Sequence, residues 1–187
     1  NVVYVKGWSK NLIKNKTINF FYNNHKNNIE FSFRNYIVKT VREPNRIVSK
    51  SKELRYKSFF DENKKKAQDS DKFDDFCDHL VVIDKSISDN YVVGTYRLLL
   101  KPRNKKRISF YSESEFNIEK LFKNKQLSLL EAGRSCVHKN YRDGRIIKLL
   151  WRGLASYILV NKVDLIFGCA IFPSSNSQLF AKQLSYL

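Results

Sequence analysis

The sequence has 187 residues, 42% hydrophobic and 28% charged, with 35 Lys and Arg against 18 Asp and Glu, for a formal net charge of +17. That length suits one ordinary domain, and 14 Phe with 10 Tyr supply enough apolar surface for a packed core, which excludes a disordered basic tail. The most apolar stretch, 149–172, is interrupted by Arg152, Lys162 and Asp164, so it does not read as a membrane span, which needs about 18 uninterrupted apolar residues.

Cys77, Cys136 and Cys169 form no CxxC pair, and His25, His79 and His138 form no HxxxH pair. Neither a disulfide framework nor a metal centre is expected, and a reducing cytoplasm is the default compartment. The positive charge is uneven: +10 over residues 1–60, +2 over 61–110 and +5 over 111–187. It suits nucleic acid, anionic lipid or an acidic protein alike, and 24 Lys with 18 Asn also fit simple compositional drift. The lack of methionine and the apolar-periodic segment running to Leu187 suggest a piece of a longer protein.

Residues 1–33 mix Lys and Asn with aromatics and show no clean period, so they read as a basic, flexible or interfacial lead-in. From Arg34 the signals sharpen into a domain over 34–187. Residues 36–41 are β-rich, Pro44 breaks them, and Ile47, Leu54 and Phe59 predict a helix ending near Phe60. The polar stretch 61–75 reads as a loop, and the apolar runs 80–83 and 91–100 predict an antiparallel hairpin. A basic turn at 101–107 leads to residues 110–116, a short helix at 118–122 and a strand at 127–137. Ile147, Leu150, Trp151, Leu154 and Ile158 then mark an amphipathic helix to about Asn161, with Arg145, Lys148 and Arg152 on another face. A buried strand at 165–170 and a final helix from Asn176 complete the order β-α-β-β-(α)-β-α-β-α. This is an α/β (α+β) fold with a mixed sheet.

The most informative unit is the strand, basic Gly-containing loop and helix over 131–152. Unpaired N–H groups at such a helix start favour an anion; the alternative is a plain turn with solvated Arg and Lys. No GxxxxGK[ST] or GxGxxG occurs, so nucleotide-binding loops are not supported.

The loop and helix VHKNYRDGRIIKLLW resemble the acyl-carrier-binding segment of the GNAT acyltransferase superfamily, with Ile147 in place of the usual final small residue. Seven segments are similar, in order, to the bacterial ornithine-lipid-forming N-acyltransferases: 54–62 (LRYKSFFDE), 73–84 (FDDFCDHLVVID), 93–99 (VGTYRLL), 110–116 (FYSESEF), 131–138 (EAGRSCVH), 149–153 (LLWRG) and 167–170 (FGCA). A more distant likeness is to the acyl-homoserine-lactone synthases, whose polar and aromatic set falls at Arg55, Phe59, Asp75, Asp78, Arg97, Glu131 and Arg134. Here His79 and Leu80 follow the second aspartate directly, which favours the lipid-forming enzymes.

The resemblance implies a GNAT-like, mostly antiparallel sheet flanked by helices, with its last strands beyond Leu187. It implies transfer of a 3-hydroxyacyl chain from the phosphopantetheine of acyl carrier protein to the α-amine of ornithine, or of a similar amino acid, with no bound cofactor. Glu131 is the candidate base, or else a structural partner of Arg134. The backbone of Ser135, Cys136 and Val137 is the candidate oxyanion site if that strand splays from its neighbour, and Cys136 itself is expected to be an inert buried thiol. Arg97 and Arg134 clasp the acceptor carboxylate or neutralise Asp75 and Asp78, while Arg55 and Phe59 line the acceptor side or simply pack. Arg142, Gly144 and Arg145 are expected at the pantetheine phosphate. Lys148 and Arg152 face the carrier protein or solvent. A cytoplasmic enzyme, peripheral at the inner face of the membrane, accounts for the charge with no nucleic acid; the rival class is a non-enzymatic basic module binding nucleic acid or anionic membrane.

Overall fold

The computed structural model describes residues 28–60, 67–170 and 177–185. Six strands, β1 (Glu30–Phe33), β2 (Tyr36–Val41), β3 (Asp78–Asp84), β4 (Val92–Lys101), β5 (Leu129–Val137) and β6 (Leu165–Phe167), lie side by side in chain order. The first four pairings are antiparallel, and β5 with β6 is parallel. Helix α1 (Arg46–Phe59) covers one face and α2 (Arg145–Val160) the other; a last short helix is α3 (Ala181–Leu184). This is the mixed sheet that the element order implies, mostly antiparallel and flanked by helices as the resemblance implies.

Strand alternation decides which side chains each helix receives. Leu80 and Val82 of β3 join Val38, Leu98 and Leu130 beneath Ile146, Leu150, Leu154 and Tyr157 of α2. Val81 and Ile83, one residue out of phase, face Leu54 of α1. All seven β3 residues are buried, as expected of a strand covered on both sides. Asn45 caps α1, its side chain accepting the Ile47 N–H at 2.8 Å. Gly144 begins α2 in the left-handed region, φ 89°, which glycine adopts without steric penalty.

One difference from the sequence reading concerns the sheet. It begins inside the segment assigned to the lead-in: Glu30–Phe33 pairs with β2, and Phe31 is 3% exposed in the core. One inward aromatic in a four-residue strand is too little for periodicity to register. The short helix expected at 118–122 is the 3₁₀ turn Glu119–Phe122, and residues 110–116 hold a second 3₁₀ turn, Tyr111–Ser114. Phe110 and Ile118 anchor them against Leu99, Leu129 and Phe167.

Candidate active site

The site grows from an irregularity in β5. Arg97 faces Gly133 and Thr95 faces Cys136, so Arg134 and Ser135 together oppose Tyr96. This is a β-bulge, and Arg134 sits in it at φ 50°. The extra residue changes the facing of the strand beyond it: Cys136 points to the α1 side, as Glu131 does five residues earlier. Beyond Glu131 the parallel partner also stops, since β5 and β6 pair only from Leu129 with Leu165 to Glu131 with Phe167. The ladder ends there, although Gly168 still lies against the Ala132 carbonyl, and beside it is a cleft of about 970 Å³, at the upper end of the range of about 300–1,000 Å³ for small-molecule sites.

One wall of the cleft is apolar, built from Trp151, Leu154 and Ile158 of α2 with Ile166 and Phe167. Phe59 and Phe60 at the end of α1 form its rim, 43% and 63% exposed. The opposite wall is polar: Arg97, Tyr111, Glu131, Arg134 and Ser135 all reach it, and Cys169 lies just past β6. The guanidinium carbons of Arg97 and Arg134 stand 5.8 and 5.3 Å from the centre of the Tyr111 ring, within cation–π range.

Behind the polar wall lies an ion-pair network. Arg55, fully buried, donates from Nε to Asp69 Oδ2 at 2.8 Å and from Nη1 and Nη2 to Asp74 at 2.8 and 3.0 Å. It also donates to the Asp69 carbonyl. Arg97 donates to Asp71 Oδ1 at 2.7 Å, and Arg134 approaches Asp69 and Asp71 at 3.7 and 3.6 Å. Burial alone would push the Asp74 carboxyl up, but the hydrogen bonds and charge of Arg55 outweigh it and hold the group at about 2. Asp71 is likewise held below its ordinary value, burial being outweighed by its bond to Arg97.

These contacts correct two expected partners. Arg97 and Arg134 are neutralised by Asp69, Asp71 and Asp74, not by Asp75 and Asp78. Asp75 is exposed on the 3₁₀ turn Asp74–Phe76. Asp78 belongs to the other face of the sheet, where Tyr157 of α2 donates to it at 2.5 Å and Arg42 pairs with it. Arg97 is opposite His79, and alternation sends the neighbouring Asp78 the other way. Arg55 and Phe59, four residues apart, divide the two roles offered for them: the arginine is locked in the network and the phenylalanine lines the cleft.

Glu131 is 6% exposed and is held by the turn after Phe110. Its carboxylate accepts the Tyr111 N–H at 2.9 Å, the Ser112 N–H at 2.7 Å and the Ser112 hydroxyl at 2.5 Å. Its carboxylate is thus bonded to this turn, while the bulge carries Arg134 towards Asp69 and Asp71. Ser135 lines the cleft. Cys136 does not: it is buried against Leu54, and burial pushes its thiol up to about 11. Hydrogen-bonded residues alternate along an antiparallel pair, and His138 N donates to Val93 O at 2.9 Å. Cys136 N–H is therefore committed to β4, whereas Val137 N–H points to the edge that β6 leaves open. The oxyanion candidates reduce to the backbone at Ser135 and Val137.

The basic residues around α2 stand apart from the cleft lining. Arg142 is exposed and donates to the Val137 carbonyl at 3.1 Å. Arg145 is paired with Asp143 through Nε at 2.7 Å, beside Gly144. Lys148 is exposed, and Arg152 lies 5.9 and 5.8 Å from the rings of Phe31 and Phe33 on β1. The stripe thus runs along the β1 flank of α2, while Trp151 turns to the cleft. Among the described residues no group of His, Cys, Asp and Glu could hold a metal ion, and no helix is long and apolar enough to cross a membrane.

A family model described as acetyltransferase (GNAT) domain matches residues 54–152, from the network arginine's helix to the basic end of the α2 stripe. The chain belongs to the GNAT acetyltransferase family. This GNAT chain is 36% identical to the L-ornithine N(alpha)-acyltransferase of Brucella abortus (strain 2308), over 75% of its length and 54% of the relative's. It is 38% identical to the protein of that name from Agrobacterium fabrum (strain C58 / ATCC 33970), over 76% and 53%. It spans about half the length of the curated relatives it matches. Among solved structures, the AHL synthase LasI aligns over 71% of each chain with a TM-score of 0.52 and 15% identity, a likeness of fold.

Sequence reasoning missed Asp69, Asp71 and Asp74 because five aspartates crowd residues 69–78, and spacing alone selects no pair among them. Tyr111 and Ser112 were within reach, since they open the FYSESEF segment that carries part of the resemblance.

Proposed function

We propose that the chain carries the catalytic domain of an L-ornithine Nα-acyltransferase, which moves a 3-hydroxyacyl chain from the phosphopantetheine thioester of acyl carrier protein to the α-amine of ornithine, giving lyso-ornithine lipid. The observation that carries this reading is the cleft beside Glu131, with apolar and polar side chains in its lining, in a chain 36–38% identical to enzymes of that name. The apolar wall of Leu154, Ile158, Ile166 and Phe167 suits an acyl chain. Across from it, Arg134 is a quarter exposed and suits the carboxylate of an amino acid, whereas the buried Arg97 is bound to Asp71.

The chemistry is aminolysis. Only the neutral amine attacks the thioester carbon, and its nitrogen must lose a proton as the bond forms, so a base is needed, a service worth about 10²- to 10⁴-fold in rate. Glu131 is that base in this reading, held ready by the Tyr111–Ser112 turn. As the tetrahedral intermediate forms, backbone N–H groups at Ser135 and Val137 stabilise its oxyanion, and collapse expels the pantetheine thiolate. No bound cofactor is needed. The donor arrives on its acidic carrier protein, with Arg142, Gly144 and Arg145 toward the pantetheine phosphate and Lys148 and Arg152 toward the carrier surface. The lipid product fits a cytoplasmic enzyme that touches the inner face of the membrane.

Full-length protein given 3-hydroxyacyl carrier protein with ornithine, lysine, glutamine or glycine, and with S-adenosylmethionine in parallel, tests the reading by mass spectrometry. Acylated ornithine in clear excess is expected. Acyl-homoserine lactone, or preference for another amino acid, would replace it.

A further inference from the structure

Glu131 does not reach the cleft alone. Ser112, fully buried, stands between its carboxylate and the thiol of Cys169, with Oγ 2.5 Å from Glu131 Oε1 and 3.3 Å from Cys169 Sγ. The hydrogens of this chain can be assigned by elimination. An ionised carboxylate only accepts, so the one hydroxyl hydrogen of Ser112 goes to Glu131. Ser112 must then accept at its other contact, and the Cys169 S–H donates. The chain has a direction, from Cys169 through Ser112 to Glu131, with its outer end on the cleft wall and its inner end on the carboxylate. The backbone fixes both ends: Tyr111 N and Ser112 N hold Glu131 at 2.9 and 2.7 Å. The residue before Cys169, Gly168, lies so close to β5 that a Cβ there would stand 2.2 Å from the Ala132 carbonyl oxygen.

We propose that Glu131 takes the acceptor's proton through this chain, with Cys169 as the group that meets the amine and Ser112 as a positioning and relay residue. The inference rests on the reading of Glu131 as the base. As the neutral amine nitrogen bonds to the thioester carbon, the carbonyl π pair moves to oxygen. The nitrogen's proton passes to Cys169 Sγ, the thiol's proton to Ser112 Oγ, and the hydroxyl's proton to Glu131. When the oxyanion pair returns and the C–S bond breaks, the pantetheine thiolate leaves. The proton on Glu131 returns along the chain to that sulfur, so Cys169 and Ser112 end as they began. No oxidant and no acyl-cysteine intermediate is required.

The test uses the full-length enzyme with carrier-bound acyl donor and ornithine, comparing wild type with Glu131→Gln, Ser112→Ala, Cys169→Ala and Cys169→Ser. Ser112→Ala and Cys169→Ala are expected to lower kcat by about 10²-fold or more, with KM for ornithine nearly unchanged. Cys169→Ser, whose hydroxyl both donates and accepts, is expected to restore most of kcat. Wild-type kcat in Cys169→Ala would overturn the relay, and so would equal loss in Cys169→Ser and Cys169→Ala at unchanged melting temperature. Should Ser112→Ala fail to fold, the two Cys169 variants, on the cleft wall, decide alone. An active Glu131→Gln would overturn the base itself; an inactive Glu131→Gln beside a fully active Cys169→Ala would leave the base and remove the relay.

Discussion

Replacing Arg55 by Met removes one side chain but strands two acids. Arg55 is 0% exposed and supplies three of its donor groups to Asp69 and Asp74, the latter also 0% exposed. Breaking a buried pair from one side costs about 3–5 kcal/mol, because the remaining charge keeps its desolvation penalty and loses its attraction. An independent figure comes from Asp74, held at about 2 against an ordinary 3.8. At about 1.4 kcal/mol per pH unit, that difference is worth about 2–3 kcal/mol. Because the folded-state value is depressed, the contribution is complete above about pH 4 and drains away as pH falls toward 2. Urea denaturation followed by circular dichroism at pH 7 should show Arg55→Met less stable by about 3–5 kcal/mol, or lower in Tm by about 6–20 °C for a chain of this size. Adding Asp74→Asn should return part of the loss, since the stranded charge goes with it. Stability within about 1 kcal/mol of wild type in Arg55→Met, or no recovery in the double variant, would refute the network as a source of stability.

Three further outcomes follow from the site. At pH 8 a water-soluble disulfide reagent should titrate one thiol of the native protein quickly, Cys169, because burial pushes Cys77 up to about 12 and Cys136 to about 11; fast labelling of Cys136 on peptide mapping would contradict its placement. Gly168→Ala should destabilise the protein by about 1–3 kcal/mol and reduce turnover, since its methyl group must force β6 off Ala132 where the cleft opens; unchanged melting and unchanged kcat would count against the tight β5–β6 junction. Asp78→Asn should cost stability, through Tyr157 and Arg42, yet leave kcat of the folded enzyme near wild type. A selective loss of kcat would return Asp78 to the active site.

Much of the fold was legible because the periods are strong. The apolar runs of β3 and β4 and the apolar stripe from Ile147 to Ile158 each have one physical solution, and the parallel pairing of β6 follows from a helix crossing between β5 and β6. Strand β1 was not legible, since Phe31 is its only buried residue. At the site, Phe59, Arg97, Glu131 and Arg134 line the cleft and Arg55 stands behind it. Their partners were hidden. The bulge at Arg134 inverts the facing of everything after it, which no spacing rule anticipates. The choice of Asp69, Asp71 and Asp74 over Asp75 and Asp78 depends on where a 3₁₀ turn hands over to a strand, a one-residue matter in a run dense with aspartate.

The most direct test of the account follows the product of one reaction: full-length protein, 3-hydroxyacyl carrier protein and ornithine, analysed by fragmentation mass spectrometry for wild type and Glu131→Gln. The account expects an amide on the α-amine of ornithine from wild type and a rate at least about 10²-fold lower from Glu131→Gln. No amide from wild type with a donor shown to be competent, or equal rates from the two proteins, would contradict it.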